Sequence, residues 1–158
     1  MIVISDTSVI TYLIQIDELL LLKELFGEVI IPEKVKEELS QISGQLSIIE
    51  STDWIKVRRI TNQNLYNEIE ENLDSGETES IVLAIELQAD ILLIDEKKGR
   101  RIAEKYGLRI TGLLGILIEA KEEKIIKEVK PMLDRLIYEI GFRISPRLYQ
   151  EILKKVNE

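Results

Sequence analysis

Two short stretches, "IVISD" at residues 2–6 and "ILLID" at residues 91–95, constrain the fold of this chain more than any other feature. Each is apolar at successive positions rather than at alternate ones, the pattern of a strand covered on both faces. Each then empties into an acid, Asp6 or Asp95, and a helical pattern follows. Two-sided burial needs helices on both faces of a sheet, and a helix between parallel strands supplies that cover.

The rest of the chain repeats this alternation. Ser8 to Ile16 and Asp17 to Phe26 read as two helices, with Asp17 a candidate N-cap. "EVIIP" reads as a strand ended by Pro32, which suits the first turn of the next helix. "WIKVRRI" reads as a strand, Asn62 to Leu73 as a helix, and "DSGETESIVLAIELQAD" as another. After "ILLID", "KKGRRIAEKYG" is a helix closed by Gly107 and "LRIT" a short strand. From Gly112 onward the chain reads as helical, with Pro131 and Pro146 as breaks. No repeat, low-complexity stretch or linker interrupts it. At 158 residues, 45% of them hydrophobic, the expectation is one α/β domain over residues 1–158, with a parallel sheet and a helical C-terminal part from about residue 113.

Composition removes several chemistries. No cysteine occurs, which excludes disulfides, zinc-thiolate sites and thiol nucleophiles. No histidine occurs, which excludes serine-histidine triads and the usual general base of neutral-pH catalysis. Catalysis would rest on carboxylates, hydroxyls, Lys, Tyr or a metal. The net charge of −8 argues against a protein that coats DNA nonspecifically, because such binding needs a basic field, but it leaves room for a nuclease whose acids are masked by cations. The N-terminus has no basic region of the secretory kind, and no apolar stretch approaches the roughly 18 residues of a membrane span. The expected location is the cytoplasm, with no membrane partner.

In parallel sheets, sites form beyond the carboxyl ends of the strands, where Asp6 and Asp95 fall. The alternative for each is to cap the helix that follows it. A third acid comes from "PEKVKEELSQI": Val35, Leu39 and Ile42 share one helical face, which Glu38 flanks and Glu37 points away from. A fourth comes from "LDSGETESIVLA". Asp74 and Glu77 have capping-box spacing, which gives Glu77 a structural job. Glu79 points elsewhere, rotated by about 200°, and precedes the apolar run "IVLAI". Glu79 is therefore the favoured functional acid, with Glu77 as the register alternative.

Clustered carboxylates repel one another and are stable only with a cation or with raised pKa values. Their hard oxygen donors select Mg²⁺ or Mn²⁺, and water beside such an ion is acidic enough to act as a nucleophile without histidine. Thr7 and Ser8 either satisfy free amides at the helix start or hydrogen-bond Asp6 and its surroundings. Lys97, Arg100 and Arg101 of "KKGRR" follow Asp95 and could hold a substrate phosphate; the alternative is a solvated helix face. Arg58 and Arg59 have no clearer claim. The surplus of apolar residues in "VITYLIQI" and "LLLLKELF" is either core or a surface for a partner.

"ISDTSVI", "IPEKVKEEL", "GETESIVLA" and "LLIDEKKGRRIA", in this order, resemble the PIN-domain nucleases, most of all the VapC-like toxins of archaea and bacteria. The later "GLRITGLLGILIEAKEEKII" and "FRISPRLYQEIL" extend the likeness over nearly the whole chain. The resemblance implies a three-layer αβα fold with a mostly parallel central sheet of about four to five strands. It also implies an acid cluster that binds Mg²⁺ or Mn²⁺ and cuts RNA, a homodimer and a small antitoxin partner. The family's acids fall on Asp6, Glu38 and Glu79, and the last on Asp95. The Thr-x-Asp pattern of many PIN domains would align Ile94 and Glu96 instead, so Glu96 stays as the alternative to Asp95. Glu79 stands where Asp is more usual. Two rival classes remain: a PIN-fold interaction domain that does not cleave, and a phosphotransfer domain with an aspartyl-phosphate intermediate.

Overall fold

Side chains along the strands point alternately into two apolar clusters, which divide the core in two. In the computed structural model, which describes residues 1–158, the strands are β1 (Val3–Ser5), β2 (Val29–Pro32), β3 (Ile55–Arg58), β4 (Ile91–Leu93) and β5 (Ile110–Thr111). Val3, Val29, Ile31, Ile91 and Leu93 pack into one apolar cluster. Ile4, Ile30, Leu92 and Ile94 pack into the other. This is the period-2 arrangement of a sheet covered on both sides.

The strands form one parallel sheet in the order β3-β2-β1-β4-β5. Ten helices cover it: α1 (Thr7–Gln15), α2 (Leu20–Phe26), α3 (Glu33–Ser40), α4 (Gln45–Glu50), α5 (Gln63–Ile69), α6 (Ser75–Glu86), α7 (Lys97–Lys105), α8 (Leu113–Glu122), α9 (Lys130–Arg135) and α10 (Pro146–Lys155). Residues of α5, α6 and α7 join the smaller cluster, and those of α1, α2, α3, α4, α8, α9 and α10 join the larger one. The architecture is a three-layer αβα sandwich. No helix is long and apolar enough to cross a membrane.

Some local expectations change. Asp17 does not cap the second helix; it adopts φ +58° after α1, and α2 begins only at Leu20 with Leu19 at its N-cap. The helix expected over Asn62–Leu73 is α5, capped by the Asn62 side chain, followed by a 3₁₀ turn at Glu70–Asn72. Pro131 and Pro146 start helices rather than break them, because the first turn has no use for the missing N–H. The apolar surplus near the N-terminus is mostly core: Val9, Ile10, Leu13, Ile16, Leu21 and Leu22 are buried, while Leu20 is exposed.

Candidate active site

The chain leaves β1 toward β2 on one side, and β4 lies on the other, so the sheet order reverses between β1 and β4. Such a switch point opens a crevice beyond the strands' carboxyl ends. Asp6 and Asp95 stand there, and the Asp6 amide donates to the Leu93 carbonyl at 2.9 Å, tying the two strand ends together.

Asp6 is only 2% exposed and occupies the N-cap position of α1, yet its carboxylate makes no capping hydrogen bond, and Oδ1 has no partner. Burial raises its pKa from 3.8 to about 7; the Thr7 amide pulls the other way, and the charges of Asp74, Glu38 and Asp95 push it further up. Asp6 is therefore buried at a cost that capping does not offset.

Glu38 reaches the same place from α3. Its Oε2 accepts a hydrogen bond from the Thr7 hydroxyl at 3.1 Å, so Thr7 serves the acids rather than the helix end. The carboxylate lies against Gly76: a Cβ there would stand 2.6 Å from Oε2. Burial and the Asp74 charge raise its pKa, against the Thr7 hydroxyl and Lys34. Glu37 is exposed, as the helical phase requires. Ser8 lies on the rim of an adjacent cleft.

Helix α6 delivers its acids differently from the sequence expectation. Glu79 does not join Asp6: its Oε1 accepts from the Lys34 amide at 3.1 Å and so holds the N-terminal turn of α3. Glu77, the register alternative, points inward. It is 7% exposed, its Oε2 has no partner, and a Cβ on Gly99 of α7 would stand 2.7 Å from that oxygen. Burial, then the adjoining Asp74 carboxylate, then the charges of Asp6 and Glu96 push its pKa up to about 9. Asp74 was given only a capping role by sequence reasoning. It does cap α6, with Oδ1 accepting from the Glu77 amide at 2.8 Å, but it also raises the pKa values of Asp6, Glu38 and Glu77. The capping spacing concealed that second role.

Asp95 rather than Glu96 closes the β4 end. Its Oδ1 accepts from the Leu113 amide at 2.9 Å, fixing the start of α8, and Oδ2 has no partner. Burial raises its pKa, while the Leu113 amide and Arg100 lower it. Glu96 is exposed at the N-cap position of α7 and acts on the group through its charge on Glu77. Lys97 and Arg100 line the cleft beside Asp95; Arg101 does not.

As the side chains stand, no three acids form a group with metal-ligating geometry. The donor chemistry nonetheless fits a hard divalent cation. Three buried carboxylate oxygens, on Asp6, Glu77 and Asp95, lack any hydrogen-bond partner, and a cation is what lowers the free energy of such a group when ionised. Fold and site together define an α/β protein with a carboxylate centre at its topological switch point. A family model for the PIN domain matches residues 2–158, and the chain belongs to that family. PIN domains are generally nucleases, and those nucleases generally use divalent metals. No curated protein is significantly similar to the chain.

Proposed function

We propose that this chain is a metal-dependent endoribonuclease whose centre comprises Asp6, Glu38, Glu77 and Asp95, with Asp74 at its edge. The observation that carries this reading is the set of partnerless, buried carboxylate oxygens on Asp6, Glu77 and Asp95. Glu77 takes the place for which the sequence favoured Glu79, because Glu79 is engaged by the Lys34 amide.

Asp6, Glu77 and Asp95 would hold Mg²⁺ or Mn²⁺, which supplies a Lewis acid for the phosphodiester and an acidified water. Thr7 positions Glu38 through its hydroxyl. The Leu113 amide fixes one oxygen of Asp95 and leaves the other free to ligate. The raised pKa values of Asp6 and Glu77 mean that cation binding competes with protons, so affinity rises with pH. Resemblance to the VapC-like branch supports a toxin role, with a homodimer and a small antitoxin protein as partners.

The deciding experiment is an RNA digest with Mn²⁺, with Mg²⁺ and with chelator, beside Asp6→Asn. Cleavage should require the metal and vanish in the variant; equal cleavage by both proteins refutes the reading. For the toxin role, wild-type expression should arrest growth of the host cell and Asp6→Asn should not.

A further inference from the structure

A cleft of about 800 Å³ opens beside Asp95, between the start of α7, the start of α8 and the segment Gly141–Arg143. Its volume is within the range of sites that enclose a small molecule. Its chemistry differs from that of the acid centre at its edge. Lys97, Arg100 and Arg143 line it, and none of the three forms an ion pair within the protein, whereas Arg147, outside it, is paired with Glu151. Apolar surface comes from Tyr12, Phe142, Leu114 and Leu148. Tyr12 and Phe142 meet edge to face, with centroids 5.3 Å apart and planes at 84°, so the ring presenting its edge keeps both of its own faces out of that contact.

The cleft is made by backbone as much as by side chains. Gly112 and Gly115 line it without filling it. Gly141, at φ +82°, turns the chain in a way that favours glycine, and the Phe142 amide then donates to the Leu136 carbonyl at 2.8 Å. That turn brings Phe142 and Arg143 into the lining of the cleft that Arg100 also lines. Unpaired cations for phosphate, aromatic surface for a base and a neighbouring acid centre are the elements of a single-stranded nucleic acid site.

Resting on the ribonuclease reading above, we propose that this cleft seats one unpaired nucleotide of the RNA next to the scissile phosphate, its own phosphate between Arg100 and Arg143 and its base against Phe142 and Tyr12. A base locked in a duplex could not enter the concavity, so only an unpaired nucleotide fits this subsite. The cleft also sets the path of the strand, from the acid centre past Asp95 toward the Gly141–Arg143 turn.

The test uses the full chain carrying Asp6→Asn, with Mn²⁺ present, and a labelled, unstructured oligoribonucleotide titrated at several salt concentrations. Adding Arg143→Ala should weaken binding about tenfold and lower the salt slope by about one released counterion. Phe142→Leu, which keeps an apolar contact for Tyr12, should weaken binding about tenfold with the salt slope unchanged. Lys154→Ala, in the last turn of α10 and outside the cleft lining, should bind like the parent, as should Arg143→Lys in part. A blunt RNA duplex of the same sequence should bind more weakly than the single strand. Melting temperatures of the Arg143 and Lys154 variants should match the parent's, since both residues are exposed, and Phe142→Leu, which gives up one aromatic pair, should melt only a few degrees lower. If the parent binds RNA but both cleft substitutions leave affinity and salt slope unchanged, the cleft inference falls and the nuclease reading stands. If wild type does not cleave and the parent does not bind, both fall.

Discussion

Replacing Asp6 by Asn should stabilise the metal-free protein, and by an amount that depends on pH. The folded-state pKa of Asp6 lies near 7, against an ordinary value of 3.8, so the native chain binds more protons than the unfolded chain between those values. Stability then falls as pH rises through that window, since the slope follows the protons bound by the unfolded state minus those bound by the native one. Taken alone, the shift from 3.8 to about 7 corresponds to about 4 kcal/mol above neutral pH. Neighbouring acids share protons, so about 1–3 kcal/mol is the fraction that one substitution should recover. The amide keeps the shape of the carboxylate and can donate to the remaining acids.

For a chain of this length, about 1 kcal/mol moves the melting point by roughly 2–4 °C. Asp6→Asn should therefore melt about 5 °C above wild type at pH 8 in chelator, and level with it below about pH 3, where Asp6 is protonated in both states. Mn²⁺ at about a hundred times its dissociation constant should add about 2.7 kcal/mol to wild type and far less to the variant. Differential scanning fluorimetry across pH, with Mn²⁺ and with chelator, reads all of these. Equal melting of the two proteins at pH 8, with equal responses to Mn²⁺, would refute the acid cluster outright.

Other substitutions separate the roles of neighbouring residues. Glu77→Gln should lower RNA cleavage by about a hundredfold or more, whereas Glu79→Gln should leave cleavage intact and cost about 1 kcal/mol through its weakened bond to the Lys34 amide; the opposite pattern would return the role to Glu79. Gly99→Ala places a Cβ 2.7 Å from both Glu77 Oε2 and Ile94 Cδ1. It should cost about 1–3 kcal/mol in denaturant melts and shrink the Mn²⁺-induced melting shift. Asp74→Ser keeps a capping oxygen while Asp74→Ala loses it, so only the alanine should destabilise, by about 1 kcal/mol in urea unfolding; both should weaken Mn²⁺ binding alike in calorimetry if the Asp74 charge contributes to the centre.

The sheet was legible because its strands are apolar at successive positions. Val3 and Ile4 serve opposite clusters, and no amphipathic pattern would allow that. The acids that close β1 and β4 were legible for the same reason, since a buried strand has to end somewhere and both end in Asp. Helix α4 was not legible: "QLSIIE" is a short polar-apolar mixture entered through Gly44 at φ +81°, and it forms a helix only where Ile49 finds the core. Asp17 misled because Asp suits both an N-cap and a left-handed residue; the tertiary path selected the second.

The choice between Glu77 and Glu79 shows most clearly what periodicity leaves open. Helical phase fixes the angle between two side chains but not which of them faces a given strand end. That absolute direction is set by space elsewhere. Gly99, on α7, leaves room for the Glu77 carboxylate, and the free amide of Lys34, at the start of α3, gives Glu79 a partner. The same economy explains how the metal-free centre stays folded at all. Asp6 precedes α1, Asp74 caps α6, Glu96 precedes α7 and Asp95 binds the first amide of α8. Four helix N-termini, each carrying partial positive charge, thus converge on one group of acids. They offset part of the repulsion among these acids in the metal-free chain, and Asp6 and Asp95, the acids that follow β1 and β4, each stand at one of those helix starts.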